Sequence, residues 1–145
     1  MSHDFAYPAF LSRDPDGLVV TFRDVPEAIT QGEGVADALS EAADALEEAI
    51  AGRIRRGEAL PEPSRPRRRE YVVPVPAQTA AKAALYLALG EVGITKSELA
   101  TRLGCDEKEV RRLLDPRHPS KLPRIQRALA ALGKQLTVRL VDEAA

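Results

Sequence analysis

Polar and basic side chains recur at helical spacing within residues 94–114 (ITKSELATRLGCDEKEVRRLL). At 100° per residue, four of them fall within about 140° of arc on one side of the second helix predicted there: Glu107, Lys108, Arg111 and Arg112. Arginine and lysine hydrogen-bond to guanine edges and phosphate oxygens, and glutamate accepts a hydrogen bond from cytosine. The pattern predicts contact with DNA, and an ordinary solvated helix face is the alternative.

The same segment contains the start signals of two short helices. Thr95 with Glu98, and Asp106 with Glu109, have the spacing of an N-cap residue and the third residue of a helix. Gly104 lies between them, where the first helix needs a left-handed C-cap. The predicted shared core consists of Leu99, Leu103, Val110 and Leu113. Two short helices joined by a tight turn containing glycine predict a helix-turn-helix.

Other polar side chains near these helices are candidates for contact with the phosphate backbone. They lie at the start of the first helix and in the loop before the last predicted helix: Thr95, Lys96, Ser97, Arg117 and Lys121. A separate arginine run, residues 65–69, is interrupted by Pro66. Such a run is either a solvated linker or a source of further phosphate contacts. The sequence alone leaves both interpretations open.

The net charge of −1 conceals an asymmetry along the chain. Residues 1–64 carry a net charge of −8, and residues 65–145 carry a net charge of +7. A basic half suits phosphate and an acidic half suits a cationic surface, so the split predicts two parts with different partners. Chance variation in the charge of small domains is the alternative.

A long amphipathic helix is predicted over residues 35–56, ended by Gly57. Its apolar face consists of Leu39, Ala42, Ala43, Leu46, Ala49, Ile50 and Ile54. Opposite this face, four acidic side chains fall within about 60° of arc: Asp37, Glu41, Asp44 and Glu48. Like charges at this spacing destabilise an isolated helix, and a cationic partner would convert that cost into attraction. A solvated face is one alternative, and a partner that docks on the sheet side or on an edge strand is another.

Residues 1–76 are predicted to form a small α/β domain around this helix. Alternating residues 5–11 and 18–22 flank an Asp-Pro-Asp-Gly turn and predict a β-hairpin. A short third strand follows. A further strand at residues 71–76 should lie at a sheet edge or end early, because its two prolines cannot donate ladder hydrogen bonds. Residues 57–70 are predicted to be a loop or linker.

Residues 77–145 are predicted to form an all-helical domain that ends in a strand. Four helices are expected, the first ending near Gly93 and the last near Gly133. Residues 135–141 then alternate apolar and polar side chains, which predicts a terminal β-strand. Such a strand would expose an unpaired edge, and pairing with a second copy of the chain would remove it. The fold class predicted for the whole chain is therefore α+β.

Several classes of function have little support in the sequence. No apolar run is long enough to cross a bilayer, and the N-terminus lacks a signal-peptide pattern, so a cytoplasmic protein is expected. One cysteine (Cys105) and two histidines without useful spacing predict no metal site or cofactor. Catalysis is not expected, because the acidic residues of the N-terminal part are scattered through a terminus, a turn and a loop.

With these features the chain resembles the HicB antitoxin family, in the branch that has a C-terminal helix-turn-helix. The marks of the first half are Tyr7-Pro8-Ala9, Asp16-Gly17, Phe22, Val25-Pro26-Glu27-Ala28, Thr30, Gly32, Ala38-Leu39 and Pro61-Glu62-Pro63-Ser64. Those of the second half are residues 93–100, Arg112-Leu113-Leu114 and Ala131-Leu132-Gly133-Lys134. Arg23 departs from the family pattern, in which a proline usually occupies this position.

The resemblance implies a fold and a function. The first half would be a small, partial ribonuclease-H-like domain that binds HicA, a small basic toxin that cuts messenger RNA. The second half would bind operator DNA as a dimer or higher oligomer and repress the operon. The alternative is a free-standing regulator whose first domain senses a small molecule or oligomerises.

Overall fold

The computed structural model describes residues 2–143 and has an α+β architecture. Four strands and five helices follow one another in this part of the chain: β1 (Ala6–Asp14), β2 (Gly17–Thr21), β3 (Ile29–Gly32), α1 (Val35–Arg56), β4 (Glu70–Pro74), α2 (Ala77–Val92), α3 (Lys96–Leu103), α4 (Glu107–Leu114) and α5 (Leu122–Ala131).

The four strands form one antiparallel sheet in the order β3-β2-β1-β4. β1 and β2 form the predicted hairpin, which extends to the pair Asp14 and Gly17 around a two-residue turn. β4 lies at the edge, as its prolines predicted, because Pro74 has no amide proton for a further neighbour. The predicted loop between α1 and β4 is also present.

α1 covers one face of the sheet and has the predicted length. It begins after Gly34 and ends at Gly57, whose left-handed φ of 69° closes the last turn. The apolar face of α1 packs on inward-facing strand residues, and this produces the first hydrophobic cluster. Its largest fully buried members are Tyr7, Val20, Phe22, Val25, Leu46 and Ile50. Phe10 and Val72 face away from α1 and are about half exposed, whereas Pro8, on the same side of the sheet, is buried.

The last four helices surround a second hydrophobic cluster. It contains Leu85, Leu99, Val110, Leu113, Ile125 and Leu129 among its buried members. α2 contributes to both clusters, because Ala83 packs in the first cluster and Ala81 and Leu85 pack in the second. The partly buried Tyr86 packs against both. One helix therefore carries the packing between the sheet and the α3–α5 region.

The predicted terminal strand is wrong for the single chain. Residues 135–141 form no strand, and Val138 and Leu140 are 87% and 98% exposed. Leu136 packs against the second cluster, and Arg139 forms an exposed ion pair with Asp4 at 3.3 Å. Apolar–polar alternation does not make a strand by itself, because a strand needs a neighbouring backbone with which to exchange hydrogen bonds.

Candidate nucleic-acid interface and acidic helix face

The two N-caps predicted in residues 94–114 are both formed. Thr95 Oγ1 accepts a hydrogen bond from the amide of Glu98 at 3.0 Å, and Asp106 Oδ1 accepts one from the amide of Glu109 at 2.9 Å. Gly104 separates the helices with a φ of 69°. These local bonds define the start of α3 and of α4, and α3 and α4 pack against each other in the second cluster.

A polar network joins the start of α3 to the start of α4. Ser97 Oγ donates to Glu107 Oε2 at 2.8 Å, and the guanidinium of Arg111 donates to Glu107 Oε1 at 2.7 Å. These two hydrogen bonds lower the pKa of Glu107, and the bond from Ser97 contributes most. Glu107 therefore holds Arg111 in place one turn further along α4, at an exposed position.

Glu109 contacts two further arginines on the other side of α4. It lies 2.5 Å from Arg124 of α5 and 3.5 Å from Arg112. Lys108, between the two acidic residues, is exposed and forms no ion pair among residues 2–143. Lys96 is exposed at the first position of α3. The structure thus places predicted DNA contacts on both helices at the surface, with Arg111 and Arg112 oriented by neighbouring carboxylates.

Lys82 holds the other end of α4, and sequence reasoning missed it. This side chain of α2 is fully buried, and its ammonium group donates to the carbonyls of Arg112 and Leu113 at 2.8 and 3.0 Å and to Ser120 Oγ at 2.8 Å. Burial lowers the pKa of Lys82 to about 8, while the nearby charge of Asp115 opposes that shift. The signal in the sequence was a lysine in the middle of an alanine- and leucine-rich helix, whose other charged residue, Glu91, lies in its last turn.

The loop between α4 and α5 is attached to the same face of α2. Gln78, one turn before Lys82, accepts a hydrogen bond from the amide of Ser120 at 3.0 Å. Asp115 Oδ1 accepts one from the amide of Arg117 at 3.0 Å. Arg117 and Lys121 are exposed on this loop, so two further predicted phosphate contacts lie at the end of α4.

The acidic face predicted on the long helix is exposed as a whole. Asp37, Glu41, Asp44 and Glu48 all lie on the solvent side of α1. Asp37 also stabilises the turn before α1, because its Oδ2 accepts a hydrogen bond from the amide of Glu33 at 2.9 Å. Glu41, Asp44 and Glu48 have no salt bridge within residues 2–143. They therefore present three uncompensated negative charges, roughly one per turn.

The arginine run at residues 65–69 is part of an ordered contact. The guanidinium of Arg23 donates to both carboxylate oxygens of Glu70, at 2.9 and 3.0 Å, and to the carbonyl of Arg65 at 2.7 Å. Glu70 also accepts a hydrogen bond from the amide of Arg67 at 2.7 Å. The hydrogen bond from Arg23 is the main cause of the lowered pKa of Glu70. Arg23, the departure from the family pattern, is thus the residue that holds the run in place.

The acidic residues set aside as scattered have local partners. Asp14 accepts a hydrogen bond from the amide of Asp16, and Asp24 accepts two from Ser64, at 2.5 and 2.7 Å. Cys105 is half-buried in the turn before α4. In the part of the chain that the structure describes, no three His, Cys, Asp or Glu side chains converge as metal ligands would. Each helix described is also too short or too polar to cross a membrane.

Comparison with known proteins matches residues 6–84 to the model of a family described as a HicB-like antitoxin of bacterial toxin–antitoxin systems. The match extends from the sheet and α1 into α2. The chain is also 39% identical to Antitoxin HicB of Escherichia coli K12 over 136 residues, which covers 93% of this chain and 99% of that protein.

Two further relatives align over a similar length. Antitoxin HicB 2 of Photorhabdus laumondii is 37% identical over 136 residues, or 94% of this chain and 96% of that protein. Antitoxin HicB of Pseudomonas fluorescens is 33% identical over 133 residues, or 91% of each. The similarity thus includes the α3–α5 region, which lies beyond the family match.

Proposed function

This chain belongs to the HicB family of bacterial antitoxins, and from that premise we propose that it neutralises a small basic toxin by direct binding and represses its own operon. The role is regulatory and not enzymatic, and it is exercised in the cytoplasm. Residues 1–76 form the toxin-binding part, with a partial ribonuclease-H-like fold, and residues 77–145 form the DNA-binding part. The observation that carries the proposal is the pairing of an acidic face on α1 with a basic surface around α4.

The acidic face of α1 supports binding of a cationic toxin. Glu41, Asp44 and Glu48 are exposed and lack salt bridges among the described residues, so a basic partner need not break an internal ion pair to reach them. Opposite charge mainly accelerates association and is screened by salt. We therefore expect the association rate with the toxin to fall as the salt concentration rises, and the dissociation rate to change less.

The test replaces these three residues and retains Asp37, which caps the turn before α1. The variant E41Q/D44N/E48Q should bind the toxin encoded beside its gene with an association rate reduced about tenfold or more at low salt. The matched control E62Q/D142N/E143Q removes three negative charges from other exposed positions. If both variants associate at the same rate, the toxin binds elsewhere. If the full chain neither binds that toxin nor relieves its toxicity, the antitoxin function itself is wrong.

The arrangement of α3 and α4 supports operator binding. We interpret the pair as a helix-turn-helix whose second helix, α4, enters the major groove. Glu107, Lys108, Arg111 and Arg112 would reach base edges or phosphates from α4, whereas Thr95, Lys96 and Ser97 would lie where α3 meets the backbone. Arg117 and Lys121 would extend the phosphate contacts from the loop after α4.

The DNA test uses two residues whose side chains are exposed, so we expect their removal to preserve the fold. Lys108→Ala and Arg112→Ala should each weaken binding to the promoter of the operon by about tenfold, which corresponds to one base or phosphate contact. Arg55→Ala is the control, because it removes the same charge from an exposed position of α1. Unchanged affinity in both test variants would show that α4 does not carry recognition.

Operator binding by a helix-turn-helix ordinarily requires a two-fold dimer, which reads two half-sites. Residues 135–141 form no strand within the chain and expose Val138 and Leu140, which supports a dimer in which two copies of this segment pair as antiparallel strands. Such pairing would bury Val138 and Leu140, and it would complete the strand that the single chain lacks.

A further inference from the structure

We propose that the outer face of the sheet, bordered by the arginine loop (residues 65–69), binds single-stranded RNA. This surface lies on the side of the sheet that α1 does not cover. It is separate from both surfaces described above, and the similarity to antitoxins does not assign it a role.

The arginine loop is strongly basic and has no internal compensation. Arg65, Arg67, Arg68 and Arg69 are all exposed, and none of their side chains forms a salt bridge within residues 2–143. The adjacent acid, Glu70, is already engaged by the guanidinium of Arg23. Four positive charges are thus held close together, which is unfavourable unless a polyanion binds them.

The loop has a defined shape. Arg23 donates to the carbonyl of Arg65, and the amides of Arg67 and Glu70 are hydrogen-bonded within the segment. Arg69 adopts a left-handed φ of 72°, which few non-glycine residues do. A preformed loop loses less conformational entropy on binding than a flexible linker would, so phosphate contacts from it gain affinity.

An aromatic and apolar surface lies directly beside the arginines. Phe10 and Val72 point away from α1 and are 46% and 47% exposed. Phe10 pairs with Thr21 on β2 and with Glu70 on β4, which brings it next to the C-terminal end of the loop. A groove of about 460 Å³ is lined by Phe10, Thr21, Arg67 and Arg68, among others.

This combination matches the chemistry of an unpaired polynucleotide. Arginines neutralise phosphates, and an exposed ring offers a stacking surface to a base that is not already paired. Bases within a duplex are stacked on each other and cannot use such a ring, whereas unpaired RNA bases commonly stack on aromatic or guanidinium planes. The chemistry therefore selects an unpaired polynucleotide, and we take single-stranded RNA as the occupant. Equally tight binding of single-stranded DNA of the same sequence would overturn the assignment to RNA.

The outer face of the sheet does not pack against α4. Inward-facing residues of the sheet pack on α1, α1 packs on α2, and α2 packs on α4 and α5. The outer face of the sheet and the exposed face of α4 are thus separated by the sheet and two helices.

The experiment measures the affinity of the full chain for a labelled single-stranded RNA over a range of salt concentrations. The RNA has about 12 nucleotides, which is within the range of site sizes typical of single-strand binding. The variant R67Q/R68Q should bind about tenfold more weakly, and the slope of log affinity against log salt should fall by about 1.4, since each phosphate contact to a single strand contributes about 0.7. Phe10→Leu keeps an apolar side chain but removes the ring, and it should also weaken binding about tenfold.

Three controls separate this site from the other surfaces. R55Q/R56Q removes the same charge elsewhere and should bind the RNA like the unmodified protein. K108A/R112A should lose operator binding but retain RNA binding, so failure of one proposal would not be mistaken for failure of the other. The inference is overturned if the variants R67Q/R68Q and R55Q/R56Q bind the RNA with equal affinity. It is also overturned if an RNA duplex of the same sequence binds at this site as tightly as the single strand, or if the RNA binds only through α4.

Discussion

Replacement of Lys82 by methionine should remove a pH dependence from the stability of the protein. The ammonium group is fully buried, and its pKa falls from 10.5 in the unfolded chain to about 8 in the folded one. Between these two values the unfolded state binds more protons than the folded state. The free energy of unfolding of the unmodified protein must therefore rise with pH over that interval.

The size of the effect follows from the two pKa values. From about pH 7 to about pH 10, the free energy of unfolding should rise by about 2–3 kcal/mol, since each pKa unit corresponds to about 1.4 kcal/mol. The Lys82→Met variant would have no such dependence. At neutral pH the substitution has opposing effects: it relieves the burial of a charge, but it leaves the Leu113 carbonyl without its donor, at a cost of about 1–3 kcal/mol. The pH dependence is for this reason more informative than stability at one pH.

The assay is urea denaturation of both proteins at several pH values between about 7 and 10, with the difference between them taken at each pH. Taking the difference removes the contributions of other groups to the free energy of unfolding. One such group is Tyr7: burial raises its pKa to about 12, so its contribution to stability declines above about pH 10. Lys134→Met, at a partly exposed surface ion pair with Glu91, is the matched control. Parallel pH profiles for the unmodified protein and the Lys82→Met variant would refute the assignment of a buried, titrating ammonium at the end of α4.

Three further changes have defined outcomes. Tyr7→Phe removes a buried hydroxyl that donates to a loop carbonyl at 2.7 Å, and should lower the free energy of unfolding by about 1–2 kcal/mol in urea denaturation; no change would mean the bond contributes nothing. Gly32→Ala would place a Cβ 2.5 Å from the backbone of α1 and should destabilise by about 2–3 kcal/mol or more, whereas the control Gly34→Ala, in open space, should fold normally. Truncation after Lys134 should weaken self-association in sedimentation experiments, and an equally tight dimer would contradict the strand-pairing proposal.

Local signals allowed most of the elements to be predicted from the sequence. The caps at Thr95 and Asp106 involve residues three positions apart, so the pattern contains both partners. The edge position of β4 and its end at Pro74, before the second proline, are consistent with the two outcomes predicted for this segment. The exposure of the acidic face of α1 follows from helical periodicity, since the opposite face is apolar and packs on the sheet.

Contacts between distant residues were not predictable in this way. Lys82 meets its acceptors 30 to 38 residues further along the chain, and Arg23 meets Glu70 at a separation of 47 residues. Periodicity shows which face of a helix is apolar, but not which polar atoms another element brings to that face. The prediction of a terminal strand was wrong for the single chain for a related reason. The alternation of apolar and polar side chains does not show whether a neighbouring strand is available to hydrogen-bond with the backbone.

The double packing of α2 has a consequence for how this protein is degraded. Because α2 contributes side chains to both hydrophobic clusters, unfolding of either half exposes apolar surface on the helix that the other half needs. We expect a single cooperative transition instead of stepwise loss of the two parts. A cellular protease that captures either part would thus remove both, and no fragment with one activity would persist. The amount of each activity in the cell would then be set by one turnover rate.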